Sequence, residues 1–218
     1  MALKMLLDDD EHSVEHLIIS VNQHYDRVSM HGLRRELMEK QIAALNIPFT
    51  TIELPQEPSM EEYSQKMAEV VNMLRNQGFT HSGFGDIFLE DLRQYREEQL
   101  AQYDIKAVFP LWGKDTKELV NDFIQSGFKA TTVCVKAEFM GEEFVGRDLD
   151  EVFVKQLPAQ VDPCGENGEF HTFCYDGPIF SNPIPFKRGE NTYREYESPQ
   201  KDAESIKIGF WYCDLLPD

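Results

Sequence analysis

HLIISVNQHYDRVSMHGLRRELMEKQIAALNIPFTTIEL, from His16 to Leu54, sets one helical repeat between two β-rich runs. His16–Val21 is a short apolar run bounded by polar residues, the pattern of a buried strand. From Met30 to Leu45, Leu33, Leu37, Ile42 and Leu45 recur at helical spacing, and Pro48–Leu54 is β-rich again. The alternation persists outward from this unit. Ser59 reads as the N-cap of a helix through Met67, Val70, Val71 and Leu74 that ends near Gly78. Phe79–Asp86 reads as a strand ending in Gly-Asp, Ile87–Tyr103 as an amphipathic helix and Ile105–Pro110 as a strand. Asp115–Ser126 is helical in pattern and stops at Gly127, and Thr131–Ala137 is β-branched and apolar. Strands alternating with helices of this length predict parallel strands joined by right-handed crossovers, an α/β fold.

Beyond Phe139 the texture changes. Short β-like runs at Glu169–Tyr175 and Ile206–Cys213 are interrupted by Gly, Pro and Asn, with a predicted helix at Asp148–Gln156 and a polar loop at Lys187–Ser205. The expected division is a first domain over residues 1–128 and a smaller α/β domain over 129–218.

Apolar residues make up 41% of the 218 residues, including 15 Phe and 8 Tyr, enough to build a core that offsets the cost of ordering the backbone. The formal charge of −18 argues against direct binding of nucleic acid, whose phosphates are met by Lys and Arg. No uninterrupted apolar stretch approaches the roughly 20 residues that cross a bilayer, so no membrane partner is expected. Cys134, Cys164, Cys174 and Cys213 show no Cys-x-x-Cys spacing and follow no charged-then-apolar leader, which suits a reducing cytoplasm.

In open parallel sheets, ligands bind beyond the carboxyl ends of the strands. Asn22–Gly32, Gly85-Asp86-Ile87 and Pro110-Leu111-Trp112-Gly113 hold such places. Asp86, where a strand passes into a helix, either holds Mg²⁺ beside a phosphate or caps the helix. His31, between Met30 and Gly32, is either near a ligand or a hydrogen-bonded structural residue, and Trp112 fits core packing better than a stacking platform. Cys164, His171 and Cys174 match none of the usual zinc spacings. The segment DPCGENGEFHTFCYDGP, Asp162–Pro178, crowds Glu166, Glu169, His171 and Asp176 among three glycines. One reading is an acidic hairpin whose glycines take positive φ. The other uses strand alternation, which would put Glu169, His171 and Phe173 on one face and pair an acid with an imidazole for proton transfer or for binding an amine.

These separated motifs, Met30–Gly32, Gly85–Ile87, Pro110–Trp112, Gly146-Arg147, Gly165–Phe170 and Asp176–Pro178, together resemble the diphthine–ammonia ligase-like branch of the ATP-pyrophosphatase (adenine nucleotide α-hydrolase) proteins, across nearly the whole chain. The Gly-Glu-Asn-Gly-Glu stretch is the most specific of them. The resemblance implies a HUP-type, Rossmann-like nucleotide-binding domain followed by a smaller substrate-recognition domain. It implies ATP and Mg²⁺ as cofactors, and a small-molecule or protein-borne carboxylate activated as its acyl-adenylate for attack by ammonia or an amine. It places Asp86, Gly85, Val21, Asn22, Met30 and His31 on the nucleotide side, with Asp86 as the metal ligand. Glu166, Glu169 and His171 fall on the substrate side, and with Asp86 they form the expected catalytic set.

The sequence departs from that family at its start. Members begin with a strand and a Ser-Gly-Gly-Lys-Asp-Ser loop whose amides hold phosphate. MALKMLL here reads as the helix that should follow the loop. The missing strand would lie between the strands at His16 and Phe79, leaving two sheet edges unpaired and a core slot empty. The rival expectation is a non-catalytic module that binds a ligand or partner through the Glu166–Asp176 face. A nucleotide hydrolase ranks third, because no activated nucleophile is evident.

Overall fold

The computed structural model describes residues 1–28, 32–197 and 207–218. In chain order the elements are α1 (Ala2–Leu7), β1 (Leu17–Asn22), β2 (Arg27–Val28), α2 (Arg35–Leu45), β3 (Phe49–Leu54), α3 (Met60–Asn76), β4 (His81–Gly83), α4 (Glu90–Ala101), β5 (Lys106–Val108), α5 (Thr116–Gln125), β6 (Lys129–Lys136), α6 (Glu151–Gln156), β7 (Phe170–Asp176), β8 (Phe186–Glu197) and β9 (Lys207–Pro217). A 3₁₀ turn, Glu142–Phe144, follows β6. The protein is a mixed α/β chain whose residues cluster into two compact units, one of Met1–Asp26 and Ile47–Asp115, the other of Arg27–Asn46 and Thr116–Asp218.

The first unit holds β1, β3, β4 and β5 with α1, α3 and α4, while α2, which the sequence sets between β1 and β3, and α5 and β6 fall in the second unit. β1 pairs parallel with β3, and β4 pairs parallel with β5, in two separate sheets. α3 begins where Ser59 predicts. The Ser59 hydroxyl accepts from the Glu62 N–H at 3.1 Å and the Glu62 carboxylate accepts from the Ser59 N–H at 2.9 Å, a reciprocal capping box. Val71 of α3, Leu100 of α4 and Ile105 form a buried cluster with Met67, Phe84 and Tyr103 packed against it. A cavity of about 850 Å³ is lined by residues of β1 and β4 among others. Leu17, Ile18 and Ile19, an apolar run that would be covered in a complete sheet, are only half-buried. Predicted as an eight-residue strand, β4 is only three residues long. An edge that lacks a neighbour gives extended backbone nothing further to bond to.

The second unit is a four-stranded antiparallel sheet in the order β7-β6-β9-β8. β6 is its central strand and is buried from Ala130 to Val135. Thr131 and Thr132 are buried with it because their hydroxyls donate to backbone: Thr131 to Arg147 O at 3.1 Å and Thr132 to Phe144 O at 2.7 Å. Asp150 caps α6 by accepting from the Phe153 N–H at 2.7 Å, which sets Phe153 fully into the core, edge-on to Phe144 and Phe170.

The loop expected at Lys187–Ser205 is corrected where it is described. Residues 186–197 are β8, the outer partner of β9 over the length of a long hairpin, and residues 198–206 lie outside the described residues. β8 is exposed on nearly every residue, so it carries no alternation of apolar and polar positions for a pattern to reveal. Its strand character comes from pairing with β9 and from contacts such as Tyr193 on Trp211 and Tyr196 on Phe210, with ring centroids 5.1 and 5.9 Å apart.

Candidate functional site

The Gly-Glu-Asn-Gly-Glu loop is built around two carboxylates. Asp162 turns the chain by accepting at Oδ1 from the N–H of Cys164 at 2.9 Å and of Glu166 at 3.3 Å. Glu169 is only 2% exposed. Its Oε1 accepts from the Asp162 N–H at 2.9 Å and from Asn167 Nδ2 at 3.0 Å, and its Oε2 accepts from the Asn167 N–H at 3.0 Å. A buried carboxylate satisfied by three N–H donors holds a loop shape. Gly165 completes the turn with φ +71°, and a Cβ there would stand 2.8 Å from the Phe170 carbonyl oxygen. The Cys164 thiol donates to Thr116 O at 3.2 Å and ties the loop to the start of α5.

These contacts change the reading of the strand face. Glu169 precedes β7 and turns its carboxylate back into its own loop, whereas His171, within β7 opposite Cys134, is half-buried. Glu166 is half-buried on the same loop. At the end of β7, Asp176 accepts from Lys129 Nζ at 2.8 Å and from the Gly177 N–H at 2.9 Å, and the Lys129 ammonium holds its carboxyl below the usual range.

The Gly146-Arg147 motif is also architectural. Gly146 has φ +74°, and a Cβ on it would stand 3.0 Å from Cys213 Sγ. Arg147 Nη1 donates to Gln156 Oε1 at 2.7 Å, with its guanidinium 5.5 Å from the Phe153 ring. One cluster had no signal in the sequence. Asp214 of β9 receives Arg34 Nε at 3.0 Å, Arg34 Nη2 at 2.6 Å and Arg27 Nη1 at 3.0 Å, while Arg27 Nη1 also donates to Gly32 O at 2.6 Å. The partners lie 180 and 187 positions apart, beyond the reach of any local pattern. The cluster grips both flanks of Met30 and His31, which themselves lie outside the described residues.

In the first unit, Asp86 is 8% exposed and is not the helix cap. The N-cap of α4 is Leu89, which makes no side-chain cap bond. Asp86 is instead an ion-pair partner. Arg96 Nε lies 2.9 Å from Oδ2 but off the line of a hydrogen bond, and Arg96 Nη2 donates to Oδ1 at 3.3 Å. The same guanidinium stands 4.5 Å from the Phe84 ring centroid. The motifs at 85–87 and 110–113 meet: the Gly113 N–H donates to Ile87 O at 2.8 Å, and Arg93 lies over the half-buried Trp112 at 4.6 Å. Val21 is 0% exposed, so neither its side chain nor its backbone is open to a ligand in this structure. The Asn22 side chain is engaged on both ends, donating to Pro55 O and Gln56 O and accepting from the N–H of His24 and Tyr25.

Among the described residues no group of three or more His, Cys, Asp or Glu is placed to hold a metal ion, and no helix is long and apolar enough to cross a membrane.

Residues 115–201 match the family model described as the diphthamide synthase C-terminal domain, a stretch that contains the Glu169 loop and the Gly146 turn. A relative from Schizosaccharomyces pombe named diphthine–ammonia ligase is 34% identical over 126 residues, covering 52% of this chain and 21% of the relative. Relatives of the same name from Danio rerio and Homo sapiens are 30% and 28% identical over 102 residues, covering 44% of this chain and 40% and 38% of the relatives. The aligned stretches therefore span from about a fifth to two fifths of the length of these curated relatives. Residues 115–201 are thus similar to the diphthamide synthase C-terminal domain, and part of the chain is similar to diphthine–ammonia ligases.

Proposed function

We propose that the chain carries the substrate-recognising part and nucleotide-binding residues of an ATP-dependent amide-forming ligase that activates a carboxylate as its acyl-adenylate for attack by ammonia or an amine. The observation that carries this reading is the loop of residues 162–169, locked by Glu169 within the stretch that matches the diphthamide synthase domain. In this reading the first unit is a HUP-type domain. Glu166 and His171 face the substrate and its amine, while Glu169 acts as a positioning residue. The relatives' name makes diphthine the first carboxylate to try.

ATP would supply AMP as a leaving group far better than hydroxide, and Mg²⁺ would offset charge on the departing pyrophosphate. Mg²⁺ is commonly held by one or two protein carboxylates together with phosphate oxygens, and Asp86 fits the role of a single carboxylate contact. Arg96 already neutralises Asp86, so a cation there must displace that ion pair. The Ser-Gly-Gly-Lys-Asp-Ser sequence that would cradle phosphate does not occur in the 218 residues, and phosphate binding is not assigned to them. The second reading is a module that binds a carboxylate-bearing partner through the Glu166–Asp176 face without performing chemistry.

The test is AMP formation from ATP in the presence of ammonium and a diphthine-bearing protein, with the chain as given and with a strand and Ser-Gly-Gly-Lys-Asp-Ser loop joined ahead of Met1. Amide and AMP formed in equal amounts by the extended protein support the proposal. Amide formed with release of ADP would replace the acyl-adenylate by an acyl phosphate, and no AMP from either form while both bind the carboxylate would leave the binding module as the better account.

A further inference from the structure

Among the asparagines of the chain only Asn167 is followed by glycine, and it sits in the loop that Glu169 locks. An Asn-Gly step carries its own chemistry. The backbone nitrogen of the glycine attacks the side-chain carbonyl carbon of the asparagine and closes a succinimide ring, and a glycine, with no Cβ, hinders this least. The bond formed joins Gly168 N to Asn167 Cγ and the bond broken joins Cγ to Nδ2. The Gly168 N–H proton leaves with the amide as ammonia. Water then opens the ring, at one carbonyl to give aspartate and at the other to give isoaspartate. No oxidant, reductant or cofactor is consumed.

The closed loop holds both reacting groups. Asn167 Nδ2 donates to Glu169 Oε1 at 3.0 Å and the Asn167 N–H donates to Oε2 at 3.0 Å, which fixes the side-chain amide and its backbone together. The Gly168 N–H donates to Gly165 O at 3.0 Å. Ring closure needs that nitrogen deprotonated and turned onto Asn167 Cγ, so it proceeds from the opened loop and its rate follows the fraction of time the loop is open. Solvent reaches the site: Asn167 is exposed, and no described atom stands within 4 Å of the place a Cβ would take on Gly168. The product does not fit the loop it came from. A carboxylate oxygen would stand where Nδ2 now lies, 3.0 Å from an oxygen of Glu169, a residue only 2% exposed. Two like charges so close oppose each other's ionisation, and Glu169 loses a donor. Isoaspartate instead adds a carbon to the main chain between the Asn167 N–H and the Gly168 N–H, both of which the loop bonds.

We propose that Asn167-Gly168 is a self-modification site: when the loop opens, Asn167 loses its side-chain amide as ammonia through a succinimide, and the carboxylate that replaces it keeps the loop from closing again on Glu169. The site is a one-way latch on the loop of residues 162–169. It needs only the loop and water, and it holds whether or not the chain takes part in amide formation.

The 218-residue chain, its Glu169→Gln variant and a synthetic peptide of residues 162–170 are aged at pH 8, and peptide mass mapping follows the gain of one mass unit at each asparagine, with fragmentation to separate aspartate from isoaspartate. Asn167 is expected to convert at least about tenfold more slowly in the folded chain than in the peptide, yet faster than every other asparagine of the chain. Glu169→Gln, which turns an amide toward the Asn167 N–H, should convert about tenfold faster than the parent chain. If that variant does not fold, the parent chain in urea below its unfolding transition takes its place. Asn167→Asp reads the second half of the proposal: amide exchange at Asp162, whose N–H Glu169 also accepts, should quicken about tenfold. Conversion at one rate in the folded chain and the peptide would show that the loop does not gate the site. Conversion at Asn167 no faster than at the other asparagines, in the parent chain and in the loosened form alike, would show that there is no site. Unchanged exchange at Asp162 in Asn167→Asp would show that the product leaves the loop closed. Each of these three results overturns the proposal.

Discussion

Replacing Glu169 separates a carboxylate that shapes the loop from one that takes part in chemistry. Glu169→Ala leaves the Asp162 N–H, the Asn167 N–H and Asn167 Nδ2 without their acceptor in a place that is 2% exposed. Hydrogen bonds to a charged group contribute about 1.5–3 kcal/mol each, and abandoned buried donors cost about 1–3 kcal/mol each. Water entering the space offsets part of this, so the expected loss is about 3–5 kcal/mol, a large share of the roughly 5–15 kcal/mol of a typical domain. Glu169→Gln keeps an acceptor for the Asp162 N–H and Asn167 Nδ2 but turns an amide NH₂ toward the Asn167 N–H, for a smaller loss of about 1–2 kcal/mol. Urea unfolding followed by far-UV circular dichroism, with tryptophan fluorescence as a second probe of the two units, reads both. At about 2–4 °C per kcal/mol the alanine variant should melt roughly 6–20 °C lower. Losses under about 0.5 kcal/mol for both variants would refute the keystone role and return Glu169 to the catalytic candidates.

Three further outcomes follow from the same geometry. Ser59→Ala removes one half of the α3 capping box and should cost about 1 kcal/mol in urea melts of the first unit, with Ser59→Asp restoring most of it. Burial pushes the Asp214 carboxyl up, but hydrogen bonds from Arg34 and Arg27 pull it further down, to a net value below the ordinary one. Its folded pKa is therefore depressed, so its stabilisation is fully present above the unfolded carboxylate pKa of about 3.9 and is lost as pH falls through the lower folded value. Asp214→Asn should accordingly lower stability at pH 7 and flatten the acid limb of a melting series. Burial pushes the thiols of Cys134 and Cys174 up to about 11, so at pH 8 both should resist iodoacetamide until the protein is unfolded, as mass mapping of labelled peptides would show.

Several helices were legible because they announce themselves locally. Ser59 and Glu62 lie three apart, Gly127 closes α5 with φ +83°, and Leu37 and Ile42 repeat on the buried face of α2. β8 was not, since a strand exposed on both faces owes its shape to β9 and carries no pattern of its own. At the candidate site, sequence spacing found the Glu166–His171 segment but not which carboxylate is buried. The three donors to Glu169 are backbone and amide groups that composition cannot orient. Asp86 looked like a cap or a metal ligand because its partner, Arg96, lies ten residues on, across the turn that starts α4. The Asp214 cluster depends wholly on long-range folding.

The most direct measurement of the central claim uses a diphthine-type substrate labelled with ¹⁸O in its carboxylate, incubated with ATP, Mg²⁺, ammonium and the form of the chain that carries the added strand and phosphate loop. Activation as an acyl-adenylate predicts one ¹⁸O atom in the phosphate of the AMP released, in step with amide formation. Unlabelled AMP, or label appearing in inorganic phosphate alongside ADP, would contradict it.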